Sequence, residues 1–166
     1  MTEAVRTPED ALTGLPDFPF APHHREVDGL RLAHLDEGQG APVLFMHGEP
    51  TWSFLWRKVI PPVRDAGFRC VAPDLAGFGR SDKPVDIGWY SYDRHTATAS
   101  ALLEDLDLRD ATVVVHDWGG PIGLRLAVEH PRPHRALRDP GHGPFHRAPA
   151  HDRRLDRISQ FRRAHR

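Results

Sequence analysis

The stretch ATVVVHDWGGPIG, residues 111–123, changes character twice in a short span. Thr112 to Val115 is a β-branched run of the kind found in strands buried on both faces, and it stops at the polar pair His116-Asp117. Gly119 and Gly120 then allow a turn at little steric cost. Pro121 suits the first turn of a helix that continues through Gly123, Leu124, Leu126 and Val128. A strand that breaks this sharply into a helix thrusts its apical side chain out of the sheet. That is the nucleophile-elbow arrangement, with the carboxylate of Asp117 where the better-known version carries serine. Val115 stands two residues before the apex, where the pattern usually has Gly. Taken alone, Asp117 fits a helix N-cap equally well. As a nucleophile it is already an anion at neutral pH, so it needs no base to displace a leaving group from saturated carbon, and the product is an ester.

Outward from this stretch the chain alternates strand and helix. Residues 1–22 are rich in Pro and charge and read as an extended lead-in with Phe18 and Phe20 as anchors. Arg25 to Val27 and Leu30 to Leu35 flank Asp28-Gly29, a pair that favours a hairpin turn. Val43 to Met46 reads as a central strand that empties into His47-Gly48-Glu49-Pro50. Trp52 to Ala66 has helical spacing, which Pro61 and Pro62 are expected to bend or end. Arg69 to Ala72 is the next strand, followed by the glycine-rich Asp74 to Ser81. Tyr92 to Leu106 reads as a helix with Ala97, Leu102, Leu103 and Leu106 inward, and the helix from Gly119 runs to His130. This order predicts an α/β fold with a mostly parallel sheet covered by helices on both faces. Ligands in such sheets gather at the carboxyl ends of the strands. His47 to Pro50, Asp74 to Ser81 and Asp117-Trp118 all fall at such ends, which makes an active site there a better account than three unrelated turns.

The 166 residues suffice for one domain, and the net charge of −1 gives no reason to expect nucleic acid or a charged membrane as partner. The charge is uneven: residues 1–130 hold 12 Lys/Arg against 20 Asp/Glu, and residues 131–166 hold 10 Arg against 3 Asp. A single cysteine, Cys70, leaves no disulfide within one chain, and no N-terminal apolar run has the length of a signal peptide or membrane span. A cytoplasmic location is the expectation.

The strings HGEPTWSFLWRKVIPP (47–62), PDLAGFGRSDKPVD (73–86) and VVHDWGGPIGLRLAVEHP (114–131) resemble those of the haloalkane dehalogenases of the α/β-hydrolase fold. The resemblance covers about residues 23–131, and Glu49 after His-Gly resembles the branch whose two halide-binding groups are both tryptophans. It implies that Asp117 displaces halide from a haloalkane, that the Trp118 indole N–H binds the departing halide, and that the backbone N–H groups of Glu49 and Trp118 form the oxyanion hole. Glu49's side chain would then line the pocket, and His47 would be a buried partner that shapes its loop. No metal and no organic cofactor is implied, and an intact family member is expected to be a monomer. The family's histidine base, its orienting acid and its second tryptophan come from a cap and later segments, for which this sequence offers no matching positions. An epoxide hydrolase of the same fold also places Trp after its Asp, but usually carries an aromatic residue after His-Gly. A non-enzymatic remnant is the third reading.

The resemblance ends at Pro131. Residues 131–166 have no sustained apolar period, five prolines and an excess of Arg and His. They read as a disordered basic tail, or as a text out of frame with a dehalogenase core that stops before its cap. GC-rich codons for this segment read one base later can yield a strand and an amphipathic continuation. Such a core is expected to turn over poorly, or once.

Overall fold

Four consecutive apolar residues, Val43 to Met46, sit at the centre of the sheet and alternate between its two faces. Val43 and Phe45 join one hydrophobic cluster, and Leu44 and Met46 join the other. Alternation with apolar residues on both sides is possible only for a strand covered on both faces. At about 1.5–3 kcal/mol per fully buried large side chain, these four residues contribute roughly 6–12 kcal/mol of burial free energy.

The computed structural model describes residues 2–129 and the backbone of residues 135–137. The strands are β1 (Ala4–Val5), β2 (His23–Val27), β3 (Leu30–Glu37), β4 (Ala41–Met46), β5 (Phe68–Pro73), β6 (Lys83–Pro84), β7 (Thr112–Val115) and β8 (Arg135–Leu137). The helices are α1 (Ile60–Asp65), α2 (Tyr92–Asp105) and α3 (Gly119–Glu129). One sheet has the order β2-β3-β5-β4-β7-β8, and β1 pairs with β6 outside it. The β5, β4, β7 and β8 neighbours are parallel, whereas β2 and β3 form an antiparallel hairpin and β3 lies antiparallel to β5. Asp28 and Gly29 both have positive φ, 51° and 75°, which gives the hairpin a turn whose twist matches its strands. The fold is therefore the expected α/β arrangement, with a mixed sheet.

The two faces have different builders. Phe18 and Phe20 of the N-terminal segment, Trp56 and Ile60 cover Val43, Phe45, Phe68 and the buried Cys70 on one face. On the other, Leu102 and Leu103 of α2 with Ile122 and Leu126 of α3 cover Leu44, Met46, Val71 and Val113.

Several local expectations are corrected. Pro61 and Pro62 stand in the first turn of α1 and start a helix instead of ending one, because the N–H groups that proline lacks have no partner there anyway. Trp52 to Ala66 is thus split into a 3-10 turn over Ser53–Trp56 and a short helix. Ala97 is exposed, and the inward face of α2 runs instead through Thr96, Thr98, Ala99, Leu102 and Leu103. The lead-in is not simply extended: β1 pairs with β6, and Glu9–Leu12 makes a 3-10 turn. The sequence marks no element after Pro131, yet the backbone of residues 135–137 pairs in parallel with β7. The remaining tail assignments, and the helix end at His130, lie outside the described residues.

Candidate active site

β4, β5 and β7 run parallel, and the three polar loops leave their carboxyl ends side by side. Asp117 sits at the elbow with φ of 50°, a left-handed conformation uncommon for residues other than glycine, asparagine and aspartate. Glycines let the chain pack closely around it. A Cβ on Gly119 would strike the Met46 carbonyl oxygen and lie 2.6 Å from that of His47, so the first residue of α3 presses directly onto the end of β4. A Cβ on Gly48 would strike Asp117 Oδ1 and the Trp118 backbone nitrogen. Gly123 explains how Val115 fits where the elbow pattern expects Gly: a Cβ on Gly123 would lie 2.9 Å from Val115 Cγ1. The space that a small residue on the strand would leave is left here by Gly123 on the helix.

The Glu49 backbone N–H donates to Asp117 Oδ1 at 3.0 Å, across 68 positions of sequence. One carboxylate oxygen is thus held against the β4 loop, a commitment that a simple N-cap would not make. Asp117 and Trp118 are exposed, Trp118 at 52 %, and the Glu49–Pro50 peptide is cis.

His47 lies fully buried beneath this loop. The Leu75 backbone N–H donates to His47 Nε2 at 2.9 Å, so Nε2 is bare, and the proton on Nδ1 is directed at the Gly48 carbonyl 3.0 Å away. Burial holds its pKa below the ordinary histidine range. Both nitrogens are spent on backbone, which matches the expectation that His47 shapes the loop. Asp74 does the same for its neighbours: buried, it accepts from the Ser53 N–H at 2.8 Å and the Arg80 N–H at 2.9 Å, while its carbonyl accepts from the Ser81 hydroxyl at 2.6 Å.

Beside the elbow opens a cleft of about 280 Å³, lined by Gly48, Glu49, Leu75, Phe78, Tyr90, Ser91, Tyr92, His95, Trp118 and Ile122. Asp117 itself is not part of this lining. The walls are mainly aromatic and aliphatic, suited to a small apolar ligand. Trp89 packs edge-on against His95 with ring centres 5.5 Å apart, and burial lowers the His95 pKa. The Tyr92 hydroxyl donates to the Pro121 carbonyl at 3.0 Å and ties α2 to α3 at the cleft.

The structure thus brings together Asp117, Trp118 and Glu49. Phe78, Tyr90, Tyr92 and His95 went unrecognised as cleft residues. The available signal was the run Trp89 to Tyr92, three aromatic residues around the N-cap serine Ser91. Among the described residues no group of three or more His, Cys, Asp or Glu can hold a metal ion, and no helix is long and apolar enough to cross a membrane.

A family model described as alpha/beta hydrolase fold matches residues 41–151. A haloalkane dehalogenase of Mycolicibacterium paratuberculosis is 49 % identical over 134 residues, which make up 76 % of this chain and 44 % of that protein. Among solved structures, a haloalkane dehalogenase from Paraglaciecola agarilytica NO2, described as tetrameric, superposes with a TM-score of 0.75 at 43 % identity over 81 % of this chain and 46 % of that one. An epoxide hydrolase from Vigna radiata gives a TM-score of 0.67 at 31 % identity, covering 72 % of this chain and 38 % of that one. The chain spans less than half the length of the curated relatives it matches.

Proposed function

This chain belongs to the α/β-hydrolase fold family and is a homologue of haloalkane dehalogenases, and from that premise we propose that its described residues carry the alkylating half of a carbon–halogen hydrolase. Asp117 attacks the carbon that bears the halogen, the new bond forms between a carboxylate oxygen and that carbon, and the carbon–halogen electron pair leaves with the halide. The indole N–H of Trp118, a donor that accepts nothing, stabilises the departing anion. The product is an alkyl ester on Asp117. The observation that carries this reading is the 3.0 Å bond from the Glu49 N–H to Asp117 Oδ1. In this reading the same N–H, joined by that of Trp118, receives negative charge when water adds to the ester carbonyl.

Hydrolysing the ester requires a base to take a proton from water, and then returns alcohol, a proton and free carboxylate. His47 is fully engaged, and we assign the base and its orienting acid to no described residue. On the described residues alone, the alkylation is expected to occur once and the ester to persist. The proposed substrates are small haloalkanes, with neither metal nor organic cofactor taking part.

The second reading is epoxide opening, favoured by the likeness to the Vigna radiata enzyme. Glu49 at the position where that family usually carries an aromatic residue supports dehalogenation instead. Halide release from a bromoalkane, followed next to diol formation from an epoxide, separates the two. A stoichiometric burst of bromide is expected, reduced ~10²-fold or more in rate by Trp118→Phe and abolished by Asp117→Ala. Diol formation without bromide would reverse the assignment.

A further inference from the structure

A second cavity, of about 80 Å³, shares no lining residue with the cleft and lies between the N-terminal segment and the β2–β3 hairpin. Its walls include Thr7, Glu9, His24, Arg31 and Arg80. The two guanidinium groups are only partly neutralised there. Arg31 Nη1 has one long contact, 3.5 Å, to the carboxylate of Glu9, which is 75 % exposed, and Arg31 Nε is buried with no hydrogen-bond partner. Arg80 donates to the carbonyls of Phe20 at 3.4 Å and Leu12 at 3.1 Å and lies over the Phe18 and Trp52 rings, contacts that leave its charge intact. Of the nearby buried acids, Asp82 is already held by both arms of Arg6, at 2.6 and 2.9 Å, and by the Arg31 backbone N–H, and Asp74, which also acts on the Arg80 charge, is held by the Ser53 and Arg80 backbone N–H groups.

The local field is accordingly positive. His24 is held below its ordinary pKa first by burial and then by Arg31, with Arg6 and Arg80 acting in the same sense and Glu9 opposing. Such a cavity is too small for an organic ligand and about the size of one tetrahedral ion. Guanidinium forks, a hydroxyl and an imidazole are the donors such an ion requires. We propose that this cavity binds a tetrahedral oxyanion, phosphate or sulfate or the end of a phosphate monoester, through Arg31, Arg80, His24 and the Thr7 hydroxyl. A bound ion would pin the N-terminal segment to the hairpin.

The test compares melting temperature and calorimetric affinity of the full chain in phosphate, sulfate and chloride at matched ionic strength. Phosphate and sulfate are expected to raise the melting temperature above that in chloride. Arg31→Gln is expected to remove the difference and weaken binding at least ~10-fold, since it deletes a charge-assisted donor while leaving the Arg31 backbone bonds to Asp82 in place. Thr7→Val is the second variant, with a smaller loss. Sulfate keeps its charge between about pH 5 and 8, so a rise in its affinity on acidification that His24→Gln abolishes would report the imidazole. Phenyl phosphate bound as tightly as phosphate would assign the site to monoesters, and the inorganic ions bound alone would assign it to the free ion. Equal melting temperatures in all three salts, or binding unchanged by both Arg31→Gln and Thr7→Val, would overturn the proposal.

Discussion

Gly119 has no room for a side chain, because a Cβ there would meet two carbonyl oxygens at the end of β4. Backbone cannot step aside as a flexible side chain can. Gly119→Ala is therefore expected to cost about 1–3 kcal/mol, read as a lowered urea midpoint at unchanged slope, and to displace the elbow with it. Asp117 stood out in the sequence as a carboxylate where an apolar run breaks into a glycine-rich turn, whereas Trp118 and Glu49 entered only through the resemblance of their strings to the dehalogenases. His95 did not stand out, since a lone histidine on a helix is ordinary. Only the fold shows that its helix borders the cleft. The compensation between Val115 and Gly123 was equally hidden, because it joins a strand to the helix that follows and appears only in their contact distance.

At the scale of elements, β3 and the loop that follows β5 set how the fold responds to acid and to loss of its inner bonds. His34 of β3 is 2 % exposed, its Nδ1 has no partner, and its pKa is pushed down to about 4 by burial first and then by His23, with Asp36 opposing. A base whose folded pKa lies below its unfolded value of about 6.5 adds stability above that value. That stability drains away as pH falls from about 6.5 to about 4. The loss amounts to roughly 3 kcal/mol. Chemical denaturation across that range should show this slope in the native chain and a flatter one in His34→Leu. Asp74→Ala is expected to cost about 2–5 kcal/mol, because it strands the Ser53 and Arg80 N–H groups; a shift in melting temperature measures it. Strands β4, β5 and β7 were legible because short apolar or β-branched runs have few other uses, whereas β1, β6 and β8 are too short to carry such a pattern. The inward face of α2 was misread because Thr96 and Thr98 look polar. Their hydroxyls bond back to the Tyr92 and Arg94 carbonyls, at 2.8 and 2.7 Å, which lets them be buried.

Across the whole molecule, long-range links were the part that sequence hid. Arg6 reaches Asp82 over 76 positions, and no local period announces such a pair. The fold class itself was legible, because the order of strands and helices permits few other sheets. On the outer side, Leu124 and Val128 of α3 are exposed, Val128 at 79 %, as are Ile87 and Trp118. Lysine at positions 124 and 128 is expected to raise the concentration at which light scattering first detects association, whereas the same change at buried Leu126 should prevent folding.

The central claim is that the Asp117 carboxylate is a nucleophile whose ester outlives the step that makes it. Intact mass after exposure to a bromoalkane tests it most directly. One added alkyl group per chain is expected, located on Asp117 by peptide fragmentation and missing from Asp117→Ala. An unmodified chain in the presence of released bromide, or an adduct that survives Asp117→Ala, would contradict it.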